Sequence, residues 1–195
     1  MLTKRDKDIL IYLEKHKAIT IMQSYRIFFN DCKFGYDVAR KRLKKLEDME
    51  VLKSYKNQLT DEKIYYTEQK ISAHDLYVLD FYSLLVFNNC KNIEFKIQPR
   101  YLKDMIRPDA FFKFEFNGNL YFILLEVDLT HSSMPKMQTY ERLYRSQELQ
   151  EQCYGTFPLI VIMGTHNIKY ESTNFDIIYS DFKLSNFTHN VLGFN

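Results

Sequence analysis

Apolar residues recur along this chain first at helical spacing and then at strand spacing. Ile9, Leu10 and Leu13 form a stripe behind Thr3 and Asp6, which stand three apart as an N-cap pair, and predict a first helix ending near residues 15–17. Thr20 and Gln23 repeat the capping pattern before a short helix over 21–29, with Met22, Tyr25, Phe28 and Phe29 turned inward. Asn30-Asp31 breaks it. Ala39, Leu43 and Leu46, at i, i+4 and i+7, predict a third helix from about Gly35 to Met49. Runs at 51–55 and 63–67 flank a polar turn at 57–61 and read as a hairpin.

Beyond residue 70 the period changes. Ser72 and Asp75 open a helix over 73–87 that carries Leu76, Leu79, Leu84 and Leu85, read as a link over 71–92. A strand follows at 93–97, with Phe95 and Ile97 on one side. Residues 110–116 and 120–129, rich in aromatic and β-branched side chains around Gly118, read as a second hairpin. Pro135 suits the first position of a helix running to about Gln152, on which Lys136 and Tyr140 share a face. The run 159–163 is almost wholly apolar, as a buried parallel strand is, and 176–179 is a further short strand.

Three short helices followed by a hairpin is the plan of a winged helix-turn-helix, with 36–49 as the groove-entering helix and 56–63 as the wing. Strand, hairpin, helix, strand, strand makes a small mixed sheet with a covering helix. The expected architecture is therefore α/β overall: a winged helix-turn-helix over 1–70, then a mixed-sheet α/β domain over 71–195.

Composition narrows this picture. The 195 residues are 46% hydrophobic and 27% charged, which is globular, and 15 Tyr with 16 Phe leave ample apolar bulk without a single Trp. Cys32, Cys90 and Cys153 are odd in number and far apart, which predicts neither a disulfide framework nor a zinc cluster and fits a reducing cytoplasm. The opening residues lack the apolar core of a signal peptide, and no apolar run approaches 18 residues, so neither secretion nor a membrane span is expected. The net charge of +2 hides a gradient. Residues 1–66 hold 15 of the 27 Lys and Arg but only 10 of the 25 Asp and Glu. A basic front predicts a polyanionic partner.

The chemistry concentrates in two places. Arg40, Lys41, Lys44 and Lys45 line the third helix opposite its apolar stripe, with Tyr36 near its start and Lys53 and Lys56 in the following hairpin. A helix fits the major groove, an Arg near its start reaches a guanine edge, and the lysines neutralise phosphates. The same face also suits protein docking. The second place is the hairpin at 110–129. Asp109 opens its first strand, while Glu126 and Asp128, two residues apart on the second, share a face. Carboxylates in so apolar a setting must be protonated, paired or metal-bound. Either a Mg²⁺-type site of Asp109, Glu126 and Asp128, or a structural network with Lys136, Arg107 or Arg142, satisfies that requirement.

Pro108-Asp109, sixteen residues and then Glu126-Val127-Asp128 resemble the PD-(D/E)xK nuclease superfamily. There an Asp and a Glu on adjacent strands hold Mg²⁺, and a Lys two residues after the Glu activates water. Here Asp128 stands in the Lys position, and Lys136 on the following helix is the nearby substitute. More specifically, Arg107-Pro-Asp-Ala-Phe, the strand leading into Glu126-Val-Asp128, Thr130, Lys136 and Tyr140 resemble the replication-relaxation family of plasmids, integrative elements and phages, over about residues 5–165. That resemblance implies a winged helix joined to a degenerate nuclease-like domain, acting in replication, mobilisation or gene control of a mobile element. The expected function is sequence-specific binding of double-stranded DNA, as a homodimer, with a non-catalytic rear domain and no cofactor. The alternative is a Mg²⁺-dependent endonuclease acting through Asp109, Glu126 and Lys136, with Asp128 as a further candidate ligand.

Overall fold

Thr3 and Asp6 satisfy each other's backbone N–H groups and start helix α1 (Lys4–His16). A three-residue strand, β1 (Ala18–Thr20), leads to Thr20 and Gln23, which cap α2 (Ile21–Phe28) in the same reciprocal way. Then come α3 (Gly35–Asp48), the strands β2 (Lys53–Lys56) and β3 (Lys63–Tyr66), and α4 (Ala73–Phe87). The structure, a computed structural model, describes residues 2–57, 62–129, 131–166 and 168–193. The turn expected at 57–61, apart from Asn57, and Thr130 lie outside the described residues.

The chain forms two units, Met1–Phe87 and Asn88–Asn195. In the first, β1, β3 and β2 make an antiparallel sheet in that order. Strand β1 escaped the sequence reading because all three of its residues are buried, leaving no alternation to detect. Ile9, Leu13 and Ile19 pack with Ala39, Leu43 and Leu46 of α3. The turn into α3 is tight at Gly35, where a Cβ would collide with the Phe29 carbonyl oxygen and the Tyr25 ring. Gly35→Ala is expected to cost ~1–3 kcal/mol, as overpacking does. An unchanged midpoint in urea unfolding would refute that close approach.

Helix α4 corrects the expected boundary. Sequence reading broke the chain at 70/71 and gave this helix to the rear domain as a link, but the units divide at 87/88. Polar side chains of α2 hold it. The Gln23 amide donates to Asp80 at 2.8 Å and to the Leu76 carbonyl at 3.2 Å, and Arg26 donates to Ser83 at 3.2 Å. Burial, countered by Gln23 and Arg26, pushes the Asp80 carboxyl up to about 7.

The second unit holds β4 (Lys91–Ile97), β5 (Ala110–Phe116), β6 (Asn119–Asp128), a 3-10 turn (Met134–Lys136), α5 (Met137–Ser146), α6 (Glu148–Gln152), β7 (Leu159–Gly164) and β8 (Ile177–Ser180). Its sheet runs β4-β5-β6-β7-β8, antiparallel as far as β6 and parallel beyond. The single helix expected over 135–152 is interrupted, because Gln147 takes the left-handed conformation at φ 61° between α5 and α6. Met137, Tyr140 and Leu143 of α5 bury against Leu124, Ile160 and Ile162 of the sheet. The expected mixed α/β class with two sheets is what the chain adopts. Among the described residues no helix is long and apolar enough to cross a membrane.

Candidate nucleic-acid interface and acidic cluster

Helix α3 is two-faced because its apolar residues recur at helical spacing. Ala39, Leu43 and Leu46 are fully buried, while Tyr36, Arg40, Lys41, Lys44 and Lys45 are exposed. Arg42, between the two faces, reaches back to α1 and pairs with the buried carboxylate of Asp6 through two nitrogens. Sequence reading missed this pair; Asp6 was visible only as a cap. Burial alone raises the Asp6 carboxyl, but hydrogen bonds from Arg42 and Thr3 outweigh it and hold the pKa at about 2.

The exposed cations differ in their present engagements. Arg40 donates to Asp37 on its own helix at 3.0 Å, and Lys44 to Asp48 at 2.6 Å and Glu47 at 3.3 Å. Lys41 and Lys45 have no ion pair among the described residues. Exposed pairs of this kind are worth little and exchange readily for a phosphate. Glu47 also ties α3 to the sheet, accepting from Lys63 at 2.7 Å and Ser54 at 2.5 Å. Lys63 and then Ser54 hold its pKa down at about 2. Lys53 and Lys56 are exposed on β2. Phe34, Tyr36 and Val38 add exposed apolar surface at the start of α3, 67%, 41% and 39% accessible.

In the second unit, Glu126 projects from β6 under α5 and is 1% exposed. Lys136 donates to one of its oxygens at 2.6 Å and the Tyr140 hydroxyl to the other at 2.5 Å. Lys136 ends the 3-10 turn ahead of α5, not the α-helix expected from Pro135, and Tyr140 lies four residues on within α5; both reach Glu126. Burial, reinforced by Asp109, pushes the Glu126 carboxyl up to about 7 against the pull of Lys136. Asp109 accepts from the Val127 N–H at 2.7 Å, tying the start of β5 to β6.

Two expected members do not join. Asp128 shares a strand face with Glu126, yet the turn after β6 folds back and satisfies it separately. Ser133 donates to it through its N–H at 2.9 Å and its hydroxyl at 3.2 Å, and His166 Nδ1 lies 3.9 Å away. Gly164 makes that approach possible, since a Cβ there would stand 2.9 Å from the Asp128 Cβ. Arg107 turns to Asp104, offering only its carbonyl to Lys136 at 3.5 Å, and Arg142 is exposed. Among the described residues no three His, Cys, Asp or Glu side chains gather as a metal-holding group.

The arrangement thus has two chemical capacities. The α3 face offers a rigid helix with movable cations, which suits a polyanion. The Glu126 cluster offers a buried carboxylate with a donor on each oxygen. In comparisons with protein families, with curated proteins and with solved structures, the chain matched none.

Proposed function

We propose that this protein binds double-stranded DNA sequence-specifically through the outer face of α3, with the first unit acting as a winged helix-turn-helix. The observation that carries the reading is the clean division of α3 into a fully buried apolar face and an exposed one bearing Arg40, Lys41, Lys44 and Lys45. The order α1, β1, α2, α3, β2, β3 supports it, since α3 is then the helix that enters the major groove. Arg40 and Tyr36, nearest its start, read bases; Lys41, Lys44, Lys45, Lys53 and Lys56 neutralise phosphates. The resemblance to proteins of mobile elements makes replication, mobilisation or gene control the role, with the second unit as scaffold.

The test is selection of duplexes from a random pool, followed by fluorescence anisotropy across salt concentrations. Lys41→Ala with Lys45→Ala is expected to weaken binding to every duplex and reduce the salt slope by about 2. Arg40→Ala is expected to cost about 1–3 kcal/mol on the selected site and relax preference at one base. Indifference to every duplex at low salt overturns the reading.

A second reading, a Mg²⁺-dependent endonuclease, draws on one observation: Lys136 Nζ lies 2.6 Å from Glu126, beside Asp109. Carboxylate oxygens are the right donors for a hard cation. Here, however, both Glu126 oxygens already accept from Lys136 and Tyr140, so an ion would have to displace them. The residues present therefore fit a resident metal ion poorly.

A further inference from the structure

Strands β6, β7 and β8 run parallel, so their starting residues lie at one end of the second sheet, away from Glu126 near the close of β6. The chain travels back to that end through α5 and α6. The last turn of α5, α6 and the segment into β7 therefore gather there. Together with the starts of the strands they enclose a hollow of about 510 Å³, within the size range of small-molecule sites.

The wall of this hollow is aromatic on one side. Tyr144 of α5, Phe157 ahead of β7 and Phe175 ahead of β8 pack ring against ring, with centroids 5.2, 5.4 and 6.3 Å apart. Its charge is of one sign. Asp176 is the one charged residue among the described residues that line it, with no Lys, Arg or His beside it. The backbone of Asp176 is held in place, because the Ile160 N–H donates to its carbonyl at 3.1 Å. Its side chain is exposed and has no hydrogen bond or ion pair among the described residues. Gln150, also in the wall, is 4% exposed. Its Nε2 donates to the Tyr144 carbonyl at 2.8 Å, while its Oε1 has no hydrogen-bond partner among the described residues. A buried acceptor left so is costly until a donor meets it.

We propose that this hollow binds a small organic cation, a flat aromatic body carrying a protonated amine. Offset or edge-on contact with the three rings holds the flat body. The ammonium donates to the Asp176 carboxylate and is further favoured by the faces of neighbouring rings. A phosphate or carboxylate ligand would find no cation here and would meet Asp176 as a like charge. The hollow shares no residue with the outer face of α3 or with the Glu126 cluster. The inference is thus independent of the DNA reading and is tested without any duplex present.

The test is an amide NMR titration of the full chain with three probes that share one ring system. Tryptamine carries an ammonium, indole no charge and indole-3-acetate a carboxylate. Tryptamine is expected to saturate with a dissociation constant of about 0.1–1 mM and to shift the Gln150 side-chain amide, with indole weaker and indole-3-acetate weakest. Asp176→Asn keeps the shape and removes the charge. It is expected to weaken tryptamine about three- to tenfold and to leave indole unchanged. Thr156, exposed in the same wall, gives a second variant. Thr156→Arg adds bulk and a cation and is expected to weaken tryptamine at least about tenfold. The same spectra report whether each variant is folded. No saturable shift with tryptamine up to about 10 mM overturns the proposal. So does indole-3-acetate binding as tightly as tryptamine, or tryptamine affinity undiminished in either folded variant.

Discussion

Replacing Asp6 with Ala is expected to lower the stability of the first unit by about 3–5 kcal/mol, as removal of one partner from a buried ion pair does. Asp6 is fully buried and accepts from the Thr3 N–H at 2.5 Å, the Thr3 hydroxyl at 2.7 Å and Arg42. Its removal takes away the half of the capping box that accepts from the Thr3 N–H and leaves the Arg42 guanidinium, 19% exposed, without its carboxylate. The pH dependence follows from the same contacts. Folding depresses the carboxyl to about 2. The ionised pair therefore stabilises fully above the unfolded value near pH 4 and fades as pH falls toward 2, a contribution on the order of 2 kcal/mol. Urea unfolding at pH 7 and pH 3 should show that loss in the parent chain and a smaller one in Asp6→Ala. Equal stability of the two at pH 7 would contradict the pair. Arg42 sits on α3 next to Lys41, so losing its pairing with Asp6 removes a tie between α1 and the helix that carries the exposed cations.

Glu126→Ala is the second large effect, expected at about 3–4 kcal/mol. It leaves a cavity in the core and strips the fully buried Tyr140 hydroxyl of its acceptor. Glu126→Gln keeps the shape and an acceptor, and separates charge from packing. The sign here is opposite to that of Asp6. Burial raises the folded carboxyl to about 7. The protonated form therefore favours the folded chain, so this contribution is greatest below the unfolded value near pH 4. It falls as pH rises toward 7, by as much as about 3 kcal/mol. Glu126→Gln should abolish that decline and exceed the parent in stability at pH 8; a parallel decline in both would refute the buried titration. The same pair of variants sorts the two functional readings. Destabilisation by Ala without any Mg²⁺-dependent nicking in the parent supports a structural cluster. Nicking by the parent that is lost in a folded Glu126→Gln or Asp109→Asn chain supports catalysis.

Much of this molecule was legible along the chain because it depends on near neighbours. The capping boxes at Thr3 and Thr20 need residues three apart, and the buried stripe of α3 needs only helical periodicity. The hairpin of β5 and β6 and the apolar run of β7 were likewise visible. Meeting of Lys136 and Tyr140 at Glu126 was half legible, since their shared face followed from spacing of four.

What local pattern could not supply was partner choice at long range. Arg42 and Asp6 are 36 positions apart, and nothing in either neighbourhood distinguishes a solvent-facing Arg from one that reaches into the fold. Asp128 lies on the expected face but is claimed by Ser133, because the turn after β6 doubles back. Helix α4 joins the first unit through Gln23 and Arg26, polar contacts that no composition shift marks. Sequence periodicity determined which elements form and which faces are apolar, since those follow from backbone geometry and burial of neighbouring side chains. Tertiary structure alone decided which carboxylate each cation meets and which strand ends the sheet, because desolvation and hydrogen-bond direction act only after distant segments have come together.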